Sequence, residues 1–186
     1  MKCSVFIATS ADGYIATLDG GVDWLHTAGN LDADISNDDM GFHDFMGSVD
    51  CMIMGRKCME MISQMNLTPE QWPYGKMPIY VLSKTLKDAP YNLQGKVEMY
   101  SGEIKLLIRT FEEKGYKSAY IDGGFTITSF LNHGLINEII LTKIPVLLGE
   151  GTPLFGNVNK KLKLEKTEVK SFKNDFYQVK YGVNYL

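Results

Sequence analysis

No apolar run in this 186-residue chain approaches the roughly 20 residues needed to cross a bilayer, so no transmembrane segment is expected. Cysteine is scarce and odd in number. Cys3, Cys51 and Cys58 have neither the paired framework of a disulfide scaffold nor metal-ligand spacing, and free thiols in a reducing cytoplasm are the expectation. His26, His43 and His133 are scattered, with no ligand spacing to Cys, Asp or Glu, which argues against a metal site. Neither sign of charge dominates. With 19 basic and 22 acidic residues the net charge is −3, which gives no nucleic-acid footprint and no membrane-surface patch. No G-x-G-x-x-G follows the first apolar run, so the Rossmann fingerprint is missing. Linker-like composition, internal repeats and low-complexity stretches are missing too. Residues 1–186 are therefore expected to form a single domain.

What is present is an alternation of apolar runs and helical patterns, the mark of an α/β domain with a mostly parallel sheet. Met1 to Thr9 are largely apolar, but acidic and glycine-rich sequence follows at once. They are read as a first strand, Cys3 to Thr9, and not as a leader. Further strands are expected at Cys51–Met54, Ile79–Ser83, Val97–Tyr100, Ser118–Asp122 and Glu138–Ile144. Phe42, Phe45, Met46 and Val49 share one helical face, and that helix is expected to start near Ser36. Helices are also expected over Lys57–Gln64, around Ile104–Phe111 and over Thr126–Asn132. In the tail Tyr177, Val179, Tyr181, Val183 and Tyr185 alternate. This predicts a half-buried antiparallel strand paired with Leu162–Phe172, a C-terminal hairpin.

Three segments carry chemistry. In Met54-Gly-Arg-Lys57 a buried strand ends in glycine and a helix opens with two cations. Free N–H groups and the helix dipole attract anions there, although taken alone the motif is more often a plain strand-to-helix turn with solvated cations. Asp122-Gly123-Gly124-Phe125 is a second strand end before a helix, where glycines admit close backbone approach or simply punctuate a turn. Ser83-Lys84 is a third strand end. In open α/β sheets ligands sit outside the carboxyl ends of the strands, and several such ends side by side can hold a dinucleotide. Asp39 lies near the apolar face of the helix carrying Phe42. It is either a carboxylate facing a pocket or, in Ser36-x-x-Asp39, part of a helix cap. His43 follows it at i+4 and can line the same pocket. Cys58, near a helix start, has no base at a recognisable spacing and is read as a packed thiol.

These segments together resemble the dihydrofolate reductase superfamily. The likeness is closest to the branch with the reductase domain of the riboflavin-pathway deaminase-reductase and its stand-alone relatives. The markers stand in family order over nearly the whole chain. They are Ala8-Thr-Ser-Ala-Asp-Gly-Tyr-Ile-Ala16, Met54-Gly-Arg-Lys-Cys-Met-Glu60, Val81-Leu-Ser83, Asp122-Gly-Gly124, Gly134-Leu-Ile-Asn-Glu138 and Pro145-Val-Leu-Leu-Gly-Glu-Gly-Thr-Pro-Leu-Phe155. The resemblance implies a dihydrofolate-reductase-like fold, a homodimer and an NADPH site. It places Ala8, Ile15 and Ala16 at the nicotinamide. Gly55, Arg56 and Lys57 fall at the phosphates, and Leu82, Ser83 and Lys84 near the adenosine 2′-phosphate. Gly123 and Gly124, joined by a cis peptide and followed by Phe125 and Thr126, fall at the pyrophosphate. On the substrate side it implies Asp39 and Thr142 as catalytic residues, with Trp24 and His43 lining the pocket. The interval from Trp24 to Asp39 is longer than in the folate enzymes, and no H-x-E with C-x-x-C zinc pattern is present. The expectation is a reductase unit acting on a pterin- or ribosylamino-pyrimidine-like metabolite. Its rival is a protein of the same fold that binds a nucleotide or metabolite without turnover.

Overall fold

The computed structural model describes residues 1–36 and 38–186. Ten strands are assigned: β1 Lys2–Ser10, β2 Tyr14–Ala16, β3 Cys51–Gly55, β4 Ile79–Leu82, β5 Glu98–Tyr100, β6 Ser118–Asp122, β7 Ile136–Ile144, β8 Thr152–Pro153, β9 Leu162–Ser171 and β10 Tyr177–Tyr185. Five helices join them: α1 Trp24–Thr27, α2 Phe42–Gly47, α3 Arg56–Met65, α4 Ile104–Glu113 and α5 Gly124–Asn132.

Eight strands form one sheet in the order β5-β4-β3-β6-β1-β7-β10-β9. From β5 to β7 all neighbours are parallel, while β10 runs antiparallel to both β7 and β9. The apolar run Cys51–Met54 explains the centre of this sheet. All four residues are buried, because helices cover both faces of a parallel strand. Leu107, Ile108 and Phe111 of α4 and Ile127, Phe130 and Leu131 of α5 pack on one face with Val5, Ile53 and Ile121. Phe45 of α2 and Met59 and Ile62 of α3 pack on the other with Met52, Met54 and Tyr120. A smaller cluster at the carboxyl end of β7 holds Trp24, Ile144, Phe172 and Phe176.

The expected strands and hairpin are present. The helix expected from Ser36 is not. Met40 and Gly41 both adopt positive φ, 56° and 82°, which breaks any helix there. The helix begins only at Phe42, and Ser36 turns back to bond Asp34 instead. Asn37 lies outside the described residues.

Sheet order decides where a ligand can enter. The chain runs β1, β3, β4, β5 toward one edge, returns as β6 between β3 and β1, then crosses to β7 on the other side of β1. β1 and β6 pair only through Lys2–Ser4 and Ser118–Tyr120. Beyond that point β1 follows β7 as far as Ser10, and β6 follows β3 as far as Asp122. The sheet therefore parts at its carboxyl end where the connections diverge, the place where α/β sheets bind ligands.

Candidate active site

Three strand tips stand side by side on one flank of this parting. Gly55 is paired with Leu82, and Met54 with Asp122, so Arg56, Ser83 and Gly123 leave adjacent strands at one end of the sheet. Gly55 and Gly123 are the N-caps of α3 and α5. Neither helix start has a side-chain cap or an acidic residue in its first turn. Among the described residues no side chain answers their first N–H groups, which suits an anion. Arg56, half exposed, makes a 3.7 Å ion pair with Glu60 one turn on, and Lys57 and Lys84 are exposed. The Ser83 hydroxyl accepts from the N–H groups of Thr85 and Leu86, which tightens the third tip.

The two glycines that follow β6 are required by crowding. Gly123 has φ +87°, and a Cβ there would collide with Cys58 Sγ. A Cβ on Gly124 would lie 2.7 Å from Pro153 O, 3.0 Å from Leu154 O and 3.1 Å from Ile15 Cδ1. The start of α5 is thus pressed against the β2–β8 ribbon, and this contact brings Ile15 and Ala16 to the site. Asp12 holds the ribbon's base, its carboxylate accepting from Ser10 Oγ and from the N–H groups of Leu148 and Gly149. Thr126 is buried, with Oγ1 only 2.8 Å from where a Cβ on Gly55 would sit. Phe125 is 89% exposed, a large apolar face left open at the tip of α5. The expected cis bond between Gly123 and Gly124 is absent. All described peptides are trans, and the positive φ of Gly123 makes the turn.

On the other flank, Ala8 of β1 is paired with Thr142 of β7, and Thr142 with Gln178 of β10. Thr142 is buried. Trp24 packs in the cluster that also holds Ala8 and Met40, and its buried Nε1 has no hydrogen-bond partner among the described residues. Asp39 and His43 are exposed. The Asp39 carboxylate accepts from the N–H of Gly41 at 2.9 Å and of His43 at 2.7 Å, which holds it below the usual carboxylate range. Of the two readings the residue pattern left open, the capping contact is therefore present, applied to the Met40–Gly41 turn and the start of α2.

One group at this end escaped the sequence reading as more than turn punctuation. Asp122 closes β6, half-buried between α3 and the parting. Burial pushes its carboxyl up to about 6, against hydrogen bonds from Gly123 N–H, Tyr120 and Cys58 that lower it. The Tyr120 hydroxyl stands 2.9 Å from Phe6 O and 3.5 Å from Asp122 Oδ1, its single proton shared between the two acceptors, and it spans β6 and β1 where they separate. Burial and the Asp122 charge push the Cys58 thiol up to about 12, so it is a packed thiol despite its place at a helix start. Only the position of Asp122 after a buried run, on the last residue before two glycines, hinted at this in the sequence.

Two shallow hollows lie elsewhere. One of about 500 Å³ is lined by Glu103, Lys105, Leu106, Arg109 and His133, and one of about 450 Å³ runs from Leu131 to Leu164. Neither includes a strand tip.

A family model of the RibD C-terminal domain matches residues 2–177. This chain belongs to that family. Its fold is dihydrofolate-reductase-like, as the resemblance implied. The uncharacterized protein YwjB of Bacillus subtilis (strain 168) is 33% identical over 171 residues, covering 92% of each chain. The crystal structure of a putative riboflavin biosynthesis protein from Shewanella sp. PV-4 superposes with a TM-score of 0.88 at 37% identity over 99% of both chains. The riboflavin biosynthesis reductase Rib7 of Saccharomyces cerevisiae shares the fold, with a TM-score of 0.68 at 13% identity, over 98% of this chain and 90% of its own.

Proposed function

We propose that this member of the RibD C-terminal domain family is an NADPH-dependent reductase of a small heterocycle, pterin- or ribosylamino-pyrimidine-like, of the kind found in riboflavin biosynthesis. The observation that carries this reading is the adjacency of three strand tips, two of them uncapped helix starts, beside the parting of β1 and β6. The residues present fit a phosphorylated dinucleotide. Gly55, Arg56 and Lys57, with Gly123, Gly124, Phe125 and Thr126, would hold its pyrophosphate. Leu82, Ser83 and Lys84 would hold the 2′-phosphate end, and Ala8, Ile15 and Ala16 the nicotinamide end. When bound, that cofactor supplies hydride.

The chain's own part is position and field. Trp24, Thr142, His43 and the turn held by Asp39 wall the substrate side, with Asp39 and Thr142 orienting the ring. Asp122, at the β6 side of the parting, keeps its proton to about pH 6 and is proposed as the source of the proton that the reduced ring takes up.

Titration with NADPH is expected to change cofactor fluorescence, and Lys84→Ala to weaken NADPH about tenfold while leaving NADH within about twofold. Equal weakening of both would remove Lys84 from the 2′-phosphate. Asp39→Asn is expected to lower turnover at least about tenfold with NADPH affinity nearly unchanged. Loss of part of the turn's cap should cost about 1 kcal/mol in unfolding free energy. A stability loss with full turnover would leave Asp39 a cap alone. Binding without oxidation of pterins or pyrimidines would favour the rival reading, a nucleotide-binding protein without turnover.

A further inference from the structure

Strand β10 lies on the far side of β7 from the parted strands, yet one of its side chains reaches the substrate wall. Gln178 Nε2 donates to Met40 O at 3.1 Å and to Thr142 Oγ1 at 3.0 Å. The first of these bonds decides which way the amide points. A carbonyl has lone pairs and no proton, so only the NH2 end of Gln178 can face Met40. Both amide protons are then committed, one to each acceptor. The consequence falls on Thr142. Its oxygen accepts from Gln178, so its own proton must point elsewhere. Thr142 is only 4% exposed, and among the described residues no protein acceptor takes that proton. Buried hydroxyls seldom stay without an acceptor.

A second observation points the same way. Trp24 Nε1, in the cluster with Ala8 and Met40, is also a buried donor with no partner among the described residues. Asp39, at the rim of this wall, has one backbone N–H on each oxygen and keeps a free lone pair on both, so it stays an acceptor. Beside Ala8 itself, Thr142 and Trp24 present donors.

We propose that Gln178 is a positioning residue that sets the hydrogen-bond polarity of Thr142, making it a donor to a carbonyl or ring nitrogen of a ligand held beside Ala8. The inference rests on the reading of this wall as the substrate side. Gln178 also ties the Met40–Gly41 turn to the sheet, so the same amide fixes the turn and aims the hydroxyl. A glutamate of the same shape would reverse the arrangement. It cannot donate to Met40 O, and its carboxylate would take the Thr142 proton for itself.

The test uses the full chain with NADP+ bound and two probes titrated by calorimetry. Uracil offers carbonyl acceptors, and 2,4-diaminopyrimidine offers amino donors. Uracil is expected to bind at least about tenfold more tightly than the diamine. Gln178→Glu should cut uracil affinity about tenfold, Thr142→Val by a similar factor, and the double variant no further, because the two act as one unit. Unchanged NADP+ affinity in both single variants checks that they fold. The inference is overturned if Gln178→Glu binds uracil within twofold of the unaltered chain, if the two losses add, if both probes bind equally, or if the unaltered chain binds neither. Repeating the titrations without nucleotide separates this outcome from a failure to bind NADP+, which would strike the reductase reading instead.

Discussion

Asp122→Asn is expected to make the protein more stable above pH 6 and much less active. The folded chain keeps the Asp122 proton up to about pH 6, whereas the unfolded chain releases it near the ordinary value of 3.8. Between those values the folded state binds more protons than the unfolded one. Stability from this group is therefore full below about pH 4 and is lost as pH rises toward 6. The interval corresponds to roughly 2–3 kcal/mol. Asparagine carries no charge at any pH, keeps the shape, and still accepts from Gly123 N–H. Urea unfolding at pH 5 and pH 8 should show the variant gaining most of that difference at pH 8. Turnover should fall about 100-fold, since a positioned proton donor contributes of that order. The unaltered protein should lose rate as pH rises through about 6, and the variant's residual rate should lose that dependence. A variant that turns over normally would leave Asp122 as a buried structural acid. One that is destabilised at pH 8 would mean the carboxylate is well solvated in the folded state.

Gly123→Ala is expected to cost about 2–4 kcal/mol of stability and at least about 100-fold in NADPH affinity. Two causes act together and can be separated. A side chain at φ +87° and ψ 132° is strained by roughly 1–3 kcal/mol whatever the space. Its Cβ would also collide with Cys58 Sγ, which is pinned beside Asp122 at the start of α3. Cys58→Ala in the same chain removes the collision and leaves the strain. The double variant should therefore recover part of the lost stability but little of the affinity, because the helix start remains displaced. Thermal unfolding with and without NADPH gives both quantities. Affinity within about threefold of the unaltered protein in the single variant would remove the β6 tip from the cofactor site.

The residue pattern carried the fold a long way, for identifiable reasons. Cys51–Met54 and Ile79–Val81 are buried on both faces, so each appears as an unbroken apolar run. The alternation from Tyr177 to Tyr185 marks a strand with one face packed, and it pairs with β9 as expected. Strand ends followed by glycine or cations located the three tips, because helix starts and close turns demand those residue types wherever they occur.

Two features of the fold do not follow from the residue pattern, each for its own reason. The start of α2 was misplaced because Phe42, Phe45 and Met46 set a helical face without showing where the backbone leaves it. The break comes from positive φ at Met40 and Gly41, a cost that the caps from Asp38 and Asp39 offset. The β2–β8 ribbon was unreadable because its strands are three and two residues long and 136 residues apart.

Local chemistry, then, is written in the chain: which segments are strands and which ends favour anions. Adjacency is not. β6 enters between β3 and β1, and that order alone sets Arg56, Ser83 and Gly123 in a row and parts the sheet beside them. The same packing buries Asp122 and lets Gln178 reach Thr142 from the last strand. Burial and neighbour identity fix a carboxyl's proton affinity and a hydroxyl's polarity, and both are properties of the assembled sheet.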